Sequence, residues 1–169
     1  MRALVVDVAD IRNRPAARRA EHIEAVLDGL ALTGSAVPAG AGVVVEVMLE
    51  SVKEGILATG TVAAPWTGPC RRCLKPVAGD ARAAVAELFE ERATEGESYP
   101  LVHDQVDLEP LAREAVLLEL PQAPLCRDDC RGLCATCGAD LNEGPCDCVP
   151  DDRDPRWAAL DVLRTEQES

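Results

Sequence analysis

The chain has 169 residues, enough for a single domain spanning 1–169 with its own core and too few for two large domains. Hydrophobic residues make up 47% and charged residues 28%, ordinary for a soluble globular chain, but aromatics are only 2%, so the core has to be built from Val, Leu, Ile and Ala. A net charge of −13 opposes non-specific binding to a polyanion, and eight cysteines beside two histidines point to thiolate chemistry rather than histidine catalysis.

The apolar start, Leu4-Val5-Val6, is broken by Asp7, far short of the ~7–15 apolar residues of a secretory signal. The long uncharged run from Gly29 to Val45 holds Gly34, Pro38, Gly40 and Gly42, too many breakers for a membrane helix, and reads as a loop leading into a strand. A cytoplasmic protein without a membrane partner is expected. Val43, Val45, Val47 and Leu49 alternate with Val44, Glu46, Met48 and Glu50, which predicts a strand over 43–50, turned at Ser51 to Gly55 and paired antiparallel with Ile56 to Ala64. Ala81 to Arg92 carries both helical composition and strand alternation; a strand is preferred because a hairpin needs a third strand to be stable. Region 43–92 is thus a sheet that includes a first C-x2-C knuckle. A helix over 107–120 follows, with Asp107 at its start, Leu108, Leu111, Ala115 and Leu118 on one face, and Pro121 as its stop; it is expected to cover the sheet. Beyond a cysteine-rich segment at 126–148, Asp154-Pro155 starts a C-terminal helix over 154–165 with Trp157, Leu160 and Leu163 as its apolar stripe. The expected fold class is α+β, a small antiparallel β-sheet covered by a helix, with a cysteine-rich zinc-binding segment.

Cys70-x2-Cys73 is followed, after 52 residues, by Cys126-x3-Cys130-x3-Cys134-x2-Cys137-x8-Cys146-x-Cys148. A reducing cytosol disfavours persistent disulfides, and eight thiolates so grouped fit two zinc ions of four cysteines each. Two partitions are open. In one, Cys134, Cys137, Cys146 and Cys148 close a local site while Cys70 and Cys73 join Cys126 and Cys130 across the gap. In the other, Cys70, Cys73, Cys134 and Cys137 form a zinc ribbon and Cys126, Cys130, Cys146 and Cys148 the second set. Buried free thiols and redox chemistry are the competing readings. Trp66-Thr67-Gly68-Pro69-Cys70 looks superficially like a thioredoxin active site, but Thr67 stands where the nucleophilic cysteine belongs. A closed four-thiolate site has no open position for water, so no catalytic residue is assigned and an enzyme is not expected. Arg71, Arg72, Lys75, Arg127 and Arg131 lie among the cysteines. They can balance the charge of about −2 on each four-thiolate zinc site, or touch RNA phosphates.

Trp66 to Val77, Leu120-Pro121, Leu125 to Asn142 and Cys146-Asp147-Cys148 together resemble the YceD-like family of large ribosomal RNA subunit accumulation proteins. The resemblance reaches from the first hairpin, near Glu54, to Cys148. It implies a non-enzymatic factor in large-subunit ribosome biogenesis that supports accumulation of large-subunit ribosomal RNA. Asp140 departs from the Asn expected at its place, which puts a local turn hydrogen bond in question. Two modes of action are compatible with these residues. In one, ribosomal RNA is contacted through the arginines and lysine named above. In the other, a zinc-stapled acidic adaptor binds a basic large-subunit ribosomal protein through Glu87, Glu90, Glu91, Glu95 and Glu97 without touching RNA; the scarcity of aromatics for base stacking favours it.

Overall fold

The computed structural model describes residues 3–148, so the helix expected over 154–165 lies outside the described residues. In chain order the elements are β1 (Val5–Asp7), α1 (Ala9–Arg12), β2 (Arg18–Val26), β3 (Gly42–Ser51), β4 (Ile56–Pro69), β5 (Pro76–Glu90), β6 (Tyr99–Val102), β7 (Gln105–Asp107) and α2 (Glu109–Glu119). The seven strands form one sheet in the order β1-β7-β6-β5-β4-β3-β2, larger than the small sheet expected.

Its centre is the β3–β4–β5 meander. Every second residue points inward, so Val43, Val45, Val47 and Leu49 of β3 are buried against Ile56, Ala58, Val62 and Ala64 of β4 and Ala81, Ala83 and Phe89 of β5. Each fully buried Val, Leu, Ile or Phe stabilises the fold by roughly 1.5–3 kcal/mol. The β4–β5 pairing runs unbroken from Ile56↔Phe89 to Pro69↔Pro76, a long hairpin whose far end carries the first knuckle. Near that end Trp66 lies over Gly79, its cross-strand partner, where an added Cβ would come within 2.9 Å of the indole Cζ2. Trp66 therefore packs on the hairpin itself and the main core rather than closing over the knuckle.

The remaining strands are short or partly polar. Phe89 and Tyr99 pair where β5 runs parallel to β6, and their rings stack at 5.2 Å. His103 and Asp104 both take positive φ in a two-residue turn that joins β6 to β7. β2 pairs with β3 from Arg18↔Glu50 to Val26↔Gly42. On its inner face Arg19 lies 2.6 Å from Glu21 and 2.6 Å from Asp10, and donates to the Asp7 carbonyl at the end of β1. The sheet therefore curls until its two edge strands meet through Arg19.

α2 buries Leu111, Ala112, Ala115 and Val116 against β4 and β5. It starts two residues later than expected because Asp107 still pairs with Val5; the Asp107 Oδ1 accepts the Glu109 N–H at 3.0 Å. Leu118, expected on the buried face, is 79% exposed, because α2 packs over only part of a seven-stranded sheet. Among the described residues no helix is long and apolar enough to cross a membrane.

Candidate metal centres

The first knuckle is the tip of the β4–β5 hairpin. Cys70 N–H donates to the Lys75 carbonyl at 2.8 Å, and Leu74 N–H donates back to the Cys70 carbonyl at 2.9 Å. The two bonds fold Cys70-x2-Cys73 so that both sulfurs face one point. Sixty-four residues on, the same turn recurs: Cys134 N–H donates to Ala139 at 2.8 Å and Gly138 N–H to Cys134 at 2.9 Å. The fifth residue of each turn is left-handed, Leu74 at φ 61° and Gly138 at φ 74°.

Around these knuckles the eight sulfurs gather in two sets, Cys70, Cys73, Cys126 and Cys130, and Cys134, Cys137, Cys146 and Cys148, each with its sulfurs within 4.8 Å of one another. This is the local grouping; the zinc-ribbon grouping is not the one the fold brings together. Within the first set Cys70 and Cys130 sulfurs are 3.8 Å apart and Cys73 and Cys126 sulfurs 3.6 Å. A tetrahedron with metal–sulfur bonds of about 2.3 Å has edges of about 3.8 Å, whereas a disulfide needs ~2.05 Å. The donor set therefore suits a tetrahedral metal ion, and two such ions could be held. Cys70, Cys73 and Cys130 are buried in a small cluster with Val77, Leu125 and Leu133, separate from the main core. The second set is more open, with Cys137 exposed.

The electrostatics suit a donor set for a cation. The Cys73 N–H pointing at the Cys70 sulfur lowers that thiol to about 6, against burial, and the Cys137 and Thr136 N–H groups lower Cys134 to about 6. Burial opposes ionisation of Cys130, but the Gly132 N–H and the Asn142 amide lower it on balance. Cys126, beside the Cys130 sulfur, and Cys148, beside the Cys137 sulfur, are pushed up to about 12. Each set thus carries thiolates already stabilised and thiols held neutral by crowding, and a soft divalent ion would let all four ionise.

The five cations among the cysteines divide sharply. Arg72 donates to the carbonyls of Asp128 and Cys130 at 3.0 and 2.9 Å, clamping the 126–130 loop to the hairpin tip. Lys75 lies 2.6 Å from Asp140 and 3.2 Å from Glu143, tying the first knuckle to the second. Arg127 pairs with Asp129 at 3.1 Å and donates to Asn142 at 2.8 Å. The side chains of Arg71 and Arg131 are exposed and make no bond among the described residues.

Asn142 is the joint that sequence reasoning missed. Its carbonyl oxygen accepts from Arg127 and from the Arg131 N–H, and its amide reaches the Cys130 sulfur at 3.5 Å. Asp140 Oδ1 accepts from the Asn142 N–H at 2.9 Å, so the turn bond put in question by Asp at this position is present. The usable signal was the D-x-N spacing, where a carboxylate can mimic a turn two residues on. His22 pairs with Glu46 and His103 sits in the β6–β7 turn, both apart from the cysteines.

A family model for the large ribosomal RNA subunit accumulation protein YceD matches residues 58–164, which include all eight cysteines. An uncharacterized protein of Mycobacterium tuberculosis (strain ATCC 25618 / H37Rv) is 41% identical over 180 residues, covering 97% of this chain and 86% of that protein. One of Mycobacterium leprae (strain TN) is 38% identical over 168 residues, covering 93% and 76%. A chloroplastic protein of Arabidopsis thaliana, named large ribosomal RNA subunit accumulation protein YCED homolog 1, is 31% identical over 70 residues, or 41% of this chain and 22% of that one. No solved structure matches. With the family model spanning both cysteine sets and the strands that present them, the chain belongs to the YceD family of large ribosomal RNA subunit accumulation proteins.

Proposed function

We propose that the chain is a non-enzymatic factor in large-subunit ribosome biogenesis, acting in the cytoplasm to support accumulation of large-subunit ribosomal RNA, with one structural zinc ion in each cysteine set. The observation that carries this reading is the coincidence of the family match with two complete four-sulfur sets. Closed sets of four thiolates leave no coordination position for substrate, which supports a structural role for the metal. Bound zinc would fix the loops 70–75 and 126–148 and neutralise part of the thiolate charge; holding those loops is the work of Arg72, Lys75 and Asn142.

Arg71 and Arg131 are the cations best placed for ribosomal RNA, since Arg72, Lys75 and Arg127 already have protein partners. Two phosphate contacts contribute about −1.4 to −1.8 to the slope of log affinity against log salt. Replacing Arg71 and Arg131 by Gln should flatten the slope for ribosomal RNA by about that much at unchanged zinc content. RNA binding identical to wild type at moderate salt would reject direct contact through the knuckles. Crosslinking in cells that recovers no large-subunit RNA or protein would reject the reading as a whole.

A further inference from the structure

We propose that the groove between α2 and β5 is the docking site for a basic, amphipathic segment of a partner polypeptide. The groove encloses about 320 Å³. Its floor is apolar, made by Ala83 and Val85 of β5 and by Leu111 and Ala115 of α2. Its rim carries Glu87, Glu97, Glu114 and Glu119, with the 79% exposed Leu118 beside them. Tyr99 donates to Glu114 at 2.8 Å, and no cation pairs with any of the four carboxylates among the described residues. Arg113, the one cation of α2, turns instead to Glu109 and to the Asp28 carbonyl. Of the acidic face expected from the sequence, Glu90 and Glu91 are engaged elsewhere, by Ser98 and Arg12.

A row of carboxylates alone would be a solvated face. Here they surround a concave apolar floor, and that combination selects the occupant. Lys and Arg can lay their methylene stems on Ala83, Val85 and Ala115 while their heads meet the rim, and an interspersed Leu or Val can meet Leu118. RNA is repelled by the rim. The chain's own residues 149–169 carry six acidic against three basic residues and are repelled as well, as is a second copy at a net charge of −13. The functional reading above enters only in the identity of the partner: polypeptides that assemble with RNA carry the Lys and Arg that neutralise phosphate.

The test uses the full zinc-loaded chain and a fluorescein-labelled peptide of about 18 residues with Lys and Leu at helical spacing, followed by fluorescence anisotropy. Glu87→Gln, Glu97→Gln, Glu114→Gln and Glu119→Gln together should weaken binding about tenfold or more, while the charge-matched set Glu24→Gln, Asp28→Asn, Glu54→Gln and Asp80→Asn should change it about twofold or less. Val85→Trp, which narrows the groove from its floor without altering charge, should weaken binding as the rim variant does. Equal loss from the two charge-matched sets, or no effect of Val85→Trp in a folded protein, overturns the proposal. Tighter binding after deletion of 149–169 would make that segment the occupant, and self-association lost in the rim variant would make it a second copy; either result overturns the proposal. Zinc content and RNA crosslinking of the same variants report separately on the proposed function, so each reading can fail alone.

Discussion

Leu74 and Gly138 hold the same place in two copies of one turn, and only one of them is the residue that left-handed backbone favours. Left-handed φ disfavours an ordinary L-residue by roughly 1–2 kcal/mol, and Leu74 recovers little by packing, being 63% exposed. Leu74→Gly relieves that strain but adds roughly 0.4–1 kcal/mol of unfolded-state entropy, so the expected outcome is a melting temperature near or above wild type with both metals retained. Leu74→Val, β-branched at positive φ, should destabilise by about 1–2 kcal/mol. The opposite ranking in thermal denaturation would mean that the Leu74 side chain contributes packing not visible in its exposure. Arg71 and Arg72 offer a second contrast between neighbours. Arg72→Ala leaves two carbonyls without their donor and should destabilise the 126–133 loop by about 1–3 kcal/mol and weaken metal retention against a chelator, whereas Arg71→Ala should do neither. Equal effects would reject the division between clamping and free cations. In the sequence these two arginines are indistinguishable, because what separates them is a contact 56 residues away. The cysteines were easier to read: sulfur chemistry restricts their partners to one another, and short spacings make the local grouping entropically cheap.

At the scale of elements, legibility followed how strictly the apolar positions alternate. β3, β4 and β5 each bury one face and expose the other, so Val43 to Leu49 announced a strand without help from the rest of the chain. β2 did not, because two of its inward positions are Arg19 and Glu21, which satisfy each other, and its exposed face ends in Val26. β1, β6 and β7 have three or four residues each, too few for any period to register. The C-x2-C tip of the β4–β5 hairpin gives the elements a test. If Cys70, Cys73, Cys126 and Cys130 share one ion, it joins the hairpin end to a loop 52 residues later, and Cys73→Ser should loosen both. Hydrogen exchange should then deprotect residues 66–79 together with 124–133. Cys146→Ser should deprotect only 134–148. Identical deprotection maps for the two variants would show that the eight sulfurs act as one cooperative unit and would remove the distinction between the sets.

At the scale of the molecule, the buried apolar side chains among the described residues fall into two bodies of unequal kind. The main core runs from Leu4 through the sheet to α2 and Leu120, and needs no metal to be buried. The small cluster of Cys70, Cys73 and Cys130 has just three apolar side chains packed against it, Val77, Leu125 and Leu133, besides the polar clamps of Arg72 and Asn142. Without a cation the crowded sulfurs of a set do not all ionise, so on the proposed function this part of the fold would gain most from a bound ion, whereas the curled sheet rests on its own side chains. Metal removal should therefore split the molecule's behaviour. On chelation, far-ultraviolet circular dichroism should keep most of its strand signal while exchange protection is lost over 70–77 and 124–148, and thermal unfolding should change from one transition to two, the lower one abolished by restoring zinc. Acid should act as the chelator does. Metal-bound thiolates must each take up a proton to release the ion, so occupancy falls as pH falls and returns as pH rises. Arg72 would still clamp the 126–130 loop to the hairpin tip and the Lys75–Asp140 pair would still tie the two knuckles, which is why local loosening rather than separation is expected. A chelated protein that loses its sheet signal together with its knuckles would show that the long β4–β5 hairpin relies on the metal at its tip, and that the main core is too poor in large side chains to stand alone.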